Sequence, residues 1–410
     1  MRFLFSVQPA AGHLQPLTPI GRELRSRGHE VAVVCSPSFA PAVEELGLPA
    51  IPLGLDWLRA EPERTFPALH DIAPGERYAW ILANVYGDAA ARRLIPGLLE
   101  LFESWRPDVV IRDQMEFGSW LVAEKTGIPH VSYGYGLGFQ EPDQIVLRPI
   151  LARLRGELGL APDPMLDTIF RHLRLEFAPR SYLGGPASGD AVRRHVRHHP
   201  IDGGDETPVP DWIGGLGSRP VVVATLGTNY NRTPGVFETI IEALAGEPLD
   251  LVVTIGRNRD PRELGAPPAN VRIEQYVPLS QLLPHADVTI CHAGFNTIFT
   301  AVAAGTPLVL IPIDSDQPAG ALRCRDLGLG PMLNRRQLTP ALVRDAVRSV
   351  LHESRYGDAV AAFRREMEAL PGTAETASLL ESLAVTGRGR NDSADAATRR
   401  EARPSAAAAG

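Results

Sequence analysis

Seven short apolar runs, separated by stretches of helical character, limit the folds open to this chain more than any other feature. Val, Ile and Leu dominate these runs without polar alternation, which is typical of strands buried on both faces of a parallel sheet. Parallel strands need a crossover connection, usually a helix, so strand, helix, strand repeats predict an α/β protein. The runs occupy residues 3–7, 31–35, 109–111, 221–226, 251–255, 288–291 and 308–311.

The apolar runs form two groups, and the stretch between them is rich in Gly, Pro and Asp. Residues 201–219 cannot sustain a helix or strand for long, and a chain of 410 residues is long enough for two domains. We expect an N-terminal domain over 1–200, a linker over 201–219 and a C-terminal domain over 220–383. Residues 384–410 lack an apolar period and are predicted to form a disordered tail. The helical pattern just before the tail is a candidate to return to the N-terminal domain.

Composition excludes several classes of protein. Hydrophobic residues make up 44% and charged residues 22%, and no stretch approaches the roughly 18 apolar residues of a membrane helix. The start of the chain, MRFLFSV, lacks the parts of a signal peptide, so we expect a cytoplasmic protein without membrane insertion. A net charge of -7 argues against a nucleic-acid partner. The locally basic segment 193–199 is interpreted as a solvated linker face.

The cysteines indicate neither a disulfide framework nor a metal site. Their number is odd, and two of them, Cys35 and Cys291, end apolar runs. We therefore predict that these two and Cys324 are buried free thiols. No clustered Cys and His spacing suggests a bound metal.

The loop after the first strand carries a candidate general base. The segment 8–19, QPAAGHLQPLTP, opens a helix that is predicted to run to about Arg27, with Gly28 as its stop. His13 would then lie at the carboxyl edge of a parallel sheet, where open α/β sheets bind ligands. An imidazole with a pKa of about 6.5 could remove a proton from an acceptor hydroxyl.

A base of this kind needs an orienting carboxylate. Asp113 follows the apolar run 109–111 and should emerge at the same sheet edge as His13. Glu116 is the second candidate. A helix cap or a surface loop is the alternative explanation for either acid.

A second site follows the apolar run 288–291. The strand leads into a turn of small residues, and the next helix begins at about Asn296 or Thr297. Unpaired backbone N–H groups and the helix dipole make such a turn an anion site, and His292 adds a side-chain donor. A P-loop kinase is excluded because the Walker lysine is missing.

The pair Asp316 and Gln317 follows the next apolar run. An acid beside an amide at a strand end suits recognition of neighbouring sugar hydroxyls. Helix capping is the ordinary alternative, but the position one strand beyond the phosphate turn favours a sugar.

Aromatic side chains on irregular segments of the N-terminal half could line a pocket for a flat acceptor. Packing of these segments onto their own domain is the competing explanation. The candidates are Trp57, Phe66, Tyr78, Trp80, Trp120 and Tyr135, with Glu116 beside them.

Together these motifs resemble family 1 glycosyltransferases with the GT-B fold. The run 292–330 resembles their donor signature, and the match includes the AGH loop at His13, the LGT that ends at Thr228 and the VPLSQLLP that begins at Val277. The resemblance implies two facing Rossmann-like domains, with donor and acceptor meeting in the interdomain cleft. It also implies inverting transfer from a nucleotide diphosphate sugar to a small acceptor, without a metal or a bound cofactor.

The same resemblance assigns roles to individual residues. His13 is the base and Asp113 its partner, Val277 faces the nucleobase, and Asp316 with Gln317 reads the sugar. The diphosphate is held by Thr228, His292, Gly294, Asn296 and Thr297.

This chain departs from the family pattern in its turn and at the nucleobase. The usual His-Gly-Gly reads His292-Ala293-Gly294, and the usual Gly-Thr reads Asn296-Thr297. Alanine adds only a methyl group, whereas asparagine tolerates a left-handed backbone and supplies an amide. The plant-type tryptophan is missing, and the segment 276–279 resembles bacterial members that use thymidine diphosphate deoxysugars as donors to glycosylate natural products such as polyketides. We therefore expect a TDP-sugar in preference to a UDP-sugar.

Two alternatives stay open from the sequence. A nucleotide-sugar epimerase would keep the phosphate pocket without a hydrophobic acceptor. A catalytically silent relative would bind nucleotide sugar as a partner or sensor. A homodimer is a further open expectation.

Overall fold

The computed structural model describes residues 1–59, 61–73, 75–137, 141–184, 192–201, 209–228, 230–257 and 259–401, with side chains as far as residue 387. Twelve strands occur in these described ranges. They are β1 Arg2–Ser6, β2 Glu30–Cys35, β3 Ala50–Pro52, β4 Val109–Asp113, β5 His130–Gly134, β6 Leu173–Glu176, β7 Arg193–His195, β8 Val221–Thr225, β9 Asp250–Thr254, β10 Val271–Glu274, β11 Val288–Cys291 and β12 Leu308–Leu310.

The strands form two parallel sheets, one in each half of the chain. The order is β3-β2-β1-β4-β5-β6-β7 in the first sheet and β10-β9-β8-β11-β12 in the second. In each sheet the chain moves outward in one direction and then returns to the other side of its first strand. The carboxyl ends of β1 and β4, and those of β8 and β11, are therefore the switch points at which α/β sheets bind ligands. The predicted pair of Rossmann-like domains is confirmed.

Helices cover both sheets. Ten-residue Ile81–Ala90 is a π-helix between two α-helices, and short 3₁₀ turns connect several others. The α-helices are α1 Ala11–Leu14, α2 Thr18–Ser26, α3 Ala40–Glu45, α4 Pro62–Thr65, α5 Arg77–Trp80, α6 Ala91–Trp105, α7 Gly118–Thr126, α8 Glu141–Glu157, α9 Arg180–Leu183, α10 Val236–Leu244, α11 Leu279–Leu282, α12 Phe295–Ala304, α13 Gln317–Asp326, α14 Pro340–His352, α15 Ser354–Glu368 and α16 Thr373–Glu401. The 3₁₀ segments are Gln15–Leu17, Pro37–Phe39, Pro67–Asp71, Asp167–Phe170, Asp211–Gly215, Pro261–Leu264, Leu283–His285 and Arg335–Gln337.

The core is continuous between the two sheets. Neighbouring residues of β1 point to opposite faces, so Phe3 and Phe5 belong to one buried cluster while Leu4 belongs to another. The cluster of Phe3 and Phe5 also contains Val221 and Val223 of β8. One hydrophobic core therefore connects the N-terminal and C-terminal lobes and fixes the cleft between them.

All seven strands predicted from the apolar runs are present, and five further strands were not predicted. The missed strands are β3, β5, β6, β7 and β10. Buried polar residues make β6 hard to recognise from the sequence: its Arg174 and Glu176 form an ion pair inside the sheet, with a distance of 2.5 Å between Nε and Oε1. The prediction of a solvated basic linker at 193–199 was wrong. Its first three residues form β7, and Arg193 is buried beside the Glu176 carboxylate.

The helix expected after β1 is divided into three pieces. An α-helical turn, a 3₁₀ turn and α2 follow each other because Pro16 and Pro19 cannot donate backbone hydrogen bonds. The last piece ends at Ser26, just before Gly28, which adopts a left-handed φ of 83°.

The final helix, α16, lies against the N-terminal lobe. Its Glu381 carboxylate accepts hydrogen bonds from Arg27 at 3.0 Å and from His29 at 2.7 Å. Ala384 is fully buried, and the helix continues past residue 383, where the tail was expected to begin. Residues 402–410 lie outside the described part of the chain, as do residues 202–208 of the expected linker.

Two further expectations concern the cysteines and the membrane. All three cysteines are buried and unpaired, as predicted. Over the described ranges, the chain contains no helix with the length and apolar character needed to cross a membrane.

Candidate active site

A cleft with a volume of about 530 Å³ opens between the two lobes. It lies at the carboxyl ends of β1, β4, β8 and β11, where both predicted sites were expected. Eleven of the predicted site residues line it. They are His13, Tyr78, Tyr135, Thr228, Val277, His292, Gly294, Asn296, Thr297, Asp316 and Gln317.

His13 and Asp113 meet at the floor of the cleft. His13 lies in α1, directly after β1, and Asp113 is the last residue of the neighbouring strand β4. The His13 Nδ1 is hydrogen bonded to the Asp113 Oδ2. The carboxylate is fully buried, whereas the imidazole retains an exposed edge toward the cleft. The carboxylate and the imidazole are thus paired as in a general base with its orienting acid.

Several donors hold the Asp113 carboxylate in place. The backbone N–H of Met115 donates to its Oδ1 at 2.8 Å, and the N–H of Gln8 donates to its Oδ2 at 3.2 Å. The Tyr135 hydroxyl also donates to Oδ1, at 3.0 Å. These hydrogen bonds fix the orientation of the carboxylate, and its contact with the His13 Nδ1 favours the Nδ1–H tautomer of the ring.

Tyr135 lies against the imidazole as well. Its Oη is 2.7 Å from the His13 Nδ1 and 2.9 Å from Nε2, and the two rings are tilted by 48° with centroids 4.4 Å apart. Burial and the nearby Asp113 carboxylate raise the pKa of Tyr135 well above its usual range. The hydroxyl therefore stays protonated and remains a hydrogen-bond donor.

The second predicted site is the turn from β11 into α12. Gly294 precedes the helix and caps it without a side-chain hydrogen bond. The first intrahelical bond runs from the N–H of Ile298 to the Gly294 carbonyl at 3.0 Å. The N–H groups of the three residues before Ile298 have no helical acceptor, and this end carries the positive part of the helix dipole. Such a terminus is suited to a diphosphate.

His292 reaches this turn through a space that two glycines leave open. A Cβ on Gly294 would lie 2.4 Å from the His292 Nε2, and a Cβ on Gly227 would lie 2.7 Å from its Cε1. Burial lowers the pKa of His292 to about 4, so the ring is neutral at pH 7. Its Nδ1 is buried without a hydrogen-bond partner, which is consistent with a polar ligand at this position.

The left-handed residue of the turn is Ala293. Its φ is 66°, whereas Asn296, which the sequence suggested for such a conformation, lies inside α12. Alanine tolerates this backbone at a cost of about 1 to 2 kcal/mol. The Asn296 side chain points to the other lobe, where its Nδ2 donates to the Gln15 Oε1 at 2.9 Å.

The part of the cleft around Asp316 also contains the cation Arg59. Burial between the lobes raises the pKa of Asp316, and the nearby His13 and Arg59 oppose that shift. The Gln317 Oε1 accepts the N–H groups of Ile313 and Asp314 at 2.9 and 3.2 Å. Gln317 therefore shapes the loop that presents Asp316.

The part of the cleft around Val277 suits a flat ring. Val277 is buried in the wall beside Tyr276 and Leu279. The Tyr276 ring lies under the Arg257 guanidinium, with 3.7 Å between the guanidinium carbon and the ring centroid.

Five of the predicted acceptor residues do not line the cleft. Trp57 and Trp120 are buried in the core of the N-terminal lobe, and Phe66 and Trp80 pack against that core. Glu116 accepts the backbone N–H of Gly118 at 2.6 Å at the start of α7. Burial raises the pKa of Glu116, and its position is that of the helix-capping alternative.

Other residues of the cleft were not identified from the sequence. Gln114 and Met115 directly follow Asp113, so the sheet-edge argument that located Asp113 could have located them. Arg59 contacts the hydroxyls of Tyr86 and Tyr230 across the cleft, and no local pattern marks it. The remaining unpredicted polar residues of the lining include Asp143, His198, Thr225, Thr254 and Gln275.

No group of His, Cys, Asp and Glu side chains that could hold a metal ion was found among the described residues. A cleft between two parallel-sheet lobes, with a paired histidine on one lobe and a phosphate turn on the other, is the arrangement of a GT-B glycosyltransferase.

Known proteins place the chain in a family. Residues 22–163 and 238–383 match the N-terminal and C-terminal domains of a family described as erythromycin biosynthesis protein CIII-like. The chain is 30% identical to 4'-demethylrebeccamycin synthase of Lentzea aerocolonigenes, over 93% of this chain and 99% of that protein. It is 28% identical to 3-alpha-mycarosylerythronolide B desosaminyl transferase of Saccharopolyspora erythraea, over 95% and 99%. The chain therefore belongs to this family of natural-product glycosyltransferases.

Solved structures agree. The glycosyltransferase VinC in complex with dTDP is 27% identical and superposes with a TM-score of 0.79 over 94% of this chain and all of that one. SnogD from Streptomyces nogalater is 26% identical, with a TM-score of 0.76 over 94% and 99%. The protein is thus a glycosyltransferase that moves a sugar from a nucleotide sugar to an acceptor, which decides against the epimerase and the silent relative.

Proposed function

We propose that this enzyme transfers a deoxysugar from thymidine diphosphate to a hydroxyl of a hydrophobic natural product, with inversion at the anomeric carbon. The observation that carries the proposal is the His13–Asp113 pair, which faces the phosphate turn across the cleft.

His13 acts as the general base. Because its Nδ1 is bonded to Asp113, its Nε2 is the nitrogen that accepts the proton of the acceptor hydroxyl. Asp113 then stabilises the imidazolium that forms. An acceptor activated on the N-terminal lobe attacks the anomeric carbon from the face opposite the diphosphate, and attack from that face inverts the configuration.

The phosphate turn stabilises the leaving group. As the sugar bond breaks, negative charge grows on the diphosphate, and the free N–H groups of α12 are already oriented toward it. Neutral His292 and the Thr297 hydroxyl are further donors, and Thr228 lies on the facing loop. Asp316 binds hydroxyls of the sugar.

Relatives and the lining of the cleft support the choice of substrates. VinC and the glycosyltransferase SsfS6, which is 26% identical, are both known in complex with thymidine diphosphate. The 28% identical desosaminyl transferase acts on an erythronolide. On the acceptor side, Tyr78, Tyr86, Met115 and Leu137 give the wall an apolar and aromatic character, which suits a polyketide or another flat aglycone.

Substitution of His13 tests the mechanism. Nucleotide sugars are first screened for hydrolysis by mass spectrometry to select the donor. His13→Ala should then bind TDP as the parent does, since the imidazole acts at the acceptor, but transfer should fall about a hundredfold to ten-thousandfold. Asp113→Asn should also slow transfer without weakening TDP binding, because it favours the wrong tautomer of His13.

Two controls make the result interpretable. Isothermal calorimetry with TDP and thermal unfolding show whether each variant keeps its donor lobe and its fold. Near-parental turnover of His13→Ala at neutral pH would contradict the proposed base.

A further inference from the structure

The carbonyl oxygen of Gly12 has no backbone N–H partner of the kind that a regular α-helix provides. Gly12 lies in α1, one residue before His13, and the residue four positions later is Pro16. An α-helix would pair the Gly12 carbonyl with the N–H of residue 16, and proline has no N–H. A donor from elsewhere is needed to satisfy this carbonyl.

That donor comes from the other lobe. The Asn296 Nδ2 is 3.3 Å from the Gly12 carbonyl oxygen, and it also donates to the Gln15 Oε1 at 2.9 Å. Asn296 is the second residue of α12, which begins at the phosphate turn. Its amide nitrogen therefore connects the turn that carries the phosphate site to the turn that carries His13.

The oxygen of the same amide is occupied too. The His198 Nε2 is 3.1 Å from the Asn296 Oδ1. His198 is buried, and burial lowers its pKa to about 4, so at pH 7 a neutral ring donates this bond through its Nε2–H. The backbone N–H of Asn296 remains with the free donors at the start of α12. Its side chain and its backbone thus face different partners.

We infer that the Asn296 side chain is a positioning residue that holds the helical turn of His13 in register with the phosphate turn, and that it does not bind the diphosphate. This inference rests on the proposed function, because His13 must be the base for its register to limit the rate. Base and leaving group lie on different lobes, and misplacement by about 1 Å can cost about a hundredfold in rate. Loss of the bridge should therefore lower kcat and leave donor affinity nearly unchanged.

Two substitutions act on the bridge from opposite lobes: Asn296→Ala removes both of its hydrogen bonds, and Gln15→Ala removes the shorter one. Asn296→Ala and Gln15→Ala should each lower kcat by about tenfold to a hundredfold, with the Kd for TDP in calorimetry within about threefold of the parent. Thr297→Ala, in the next position of α12, is the matched comparison: it should weaken TDP binding by about tenfold or more, since it removes a donor to a charged group. The double variant of Asn296 and Gln15 should be little slower than Asn296→Ala, because both changes break the same hydrogen bond.

A conservative change separates positioning from general damage to the fold. Gln15→Glu keeps an oxygen that accepts from the Asn296 Nδ2 and should restore most of the kcat lost in Gln15→Ala. Should Asn296→Ala fail to fold in thermal unfolding, the two Gln15 variants carry the test.

The inference is overturned if Asn296→Ala weakens TDP binding tenfold while kcat is unchanged, or if both quantities match the parent, or if the two single effects multiply in the double variant. One further result would contradict the proposed function and leave the inference about Asn296 standing. If His13→Ala stays active while Asn296→Ala is slow with intact TDP binding, Asn296 still positions the lobes and only the assignment of the base fails.

Discussion

At the scale of single residues, the missing Cβ atoms of two glycines leave the space that the His292 ring occupies. His292 can face the phosphate turn only because residues 227 and 294 lack a Cβ, which would otherwise lie within 3 Å of its ring. Gly227 also has a φ of +68°, a left-handed conformation that side chains rarely adopt. The ring itself is neutral because burial lowers its pKa, so in the proposed mechanism it donates a directed hydrogen bond and adds no charge.

Gly294→Ala tests this arrangement. The new methyl group would force the His292 ring out of place, and loss of a hydrogen bond to a charged diphosphate costs about 1.5 to 3 kcal/mol. TDP affinity in calorimetry should therefore fall at least about tenfold. Gly357→Ala is the control, because position 357 is helical and has no atom within 4 Å of the new Cβ; it should bind TDP as the parent does. Parental affinity in Gly294→Ala would show that the position of the ring is unimportant.

At the scale of secondary-structure elements, the amino end of α12 has the central part in the proposed stabilisation of the leaving diphosphate. In that proposal, its free N–H groups and the positive end of its dipole favour the charge that grows on the diphosphate. A side chain added at the cap would interfere with this anion site, and Gly294 leaves it open.

We therefore expect transfer without a divalent ion. Activity after dialysis against EDTA should equal that of the untreated enzyme, and added magnesium should not raise it, because the helix terminus, His292 and Thr297 stabilise the diphosphate. The measurement is the initial rate of transfer under both conditions. Activity that disappears with EDTA and returns with magnesium would contradict the expectation.

Elements also show how far the sequence could predict this fold. Strands made of Val, Ile and Leu were found because continuous apolar runs report burial on both faces. Strand β5, His130–Gly134, was missed because its histidine, serine and tyrosine are polar, although every residue in it is buried. The burial of these polar residues depends on tertiary neighbours, such as the Glu124 carboxylate that lies 3.2 Å from the His130 Nε2, and the pattern of the strand does not reveal them.

The same limit applies to the site. Residues at strand ends and helix starts, such as Asp113 and Thr297, could be located because parallel strands share a carboxyl edge. Arg59 and His198 reach the cleft from irregular segments, so only the folded chain brings them there. Trp120 illustrates the opposite error: an aromatic side chain suggested an acceptor wall, and the structure buries it in the core under the Arg155 guanidinium.

At the scale of the whole molecule, the two lobes are connected by more than the segment between their sheets. Tyr182, from the N-terminal half, packs against Phe299 and Phe363 of the C-terminal half, and the Arg323 Nε donates to its carbonyl at 3.0 Å. The chain then returns through α16 to the N-terminal lobe. A cleft whose two walls share a core can keep acceptor and donor sites in register.

The return of α16 should therefore be required for stability, and truncation can measure its contribution. Deletion of residues 373–410 removes the whole helix, uncovers the surface under Ala377 and Leu380, and leaves Arg27 and His29 without Glu381. Burial of that apolar surface alone contributes roughly 3 to 5 kcal/mol, a large share of a typical unfolding free energy of about 5 to 15 kcal/mol. Urea unfolding followed by circular dichroism should show a much lower midpoint, or the shortened chain should fail to fold.

The matched control is deletion of residues 388–410. Among the described side chains of α16, the last position in contact with the N-terminal lobe is Gly387, where a Cβ would lie 2.2 Å from Pro129. Residues 388–410 lack an apolar period in the sequence, so we expect this shorter deletion to unfold at the same urea concentration as the full chain. If the longer deletion is insoluble, Leu380→Ala replaces it, and the cavity should cost about 2 to 5 kcal/mol. Equal midpoints for the full chain, the longer deletion and Leu380→Ala would show that α16 does not stabilise the N-terminal lobe.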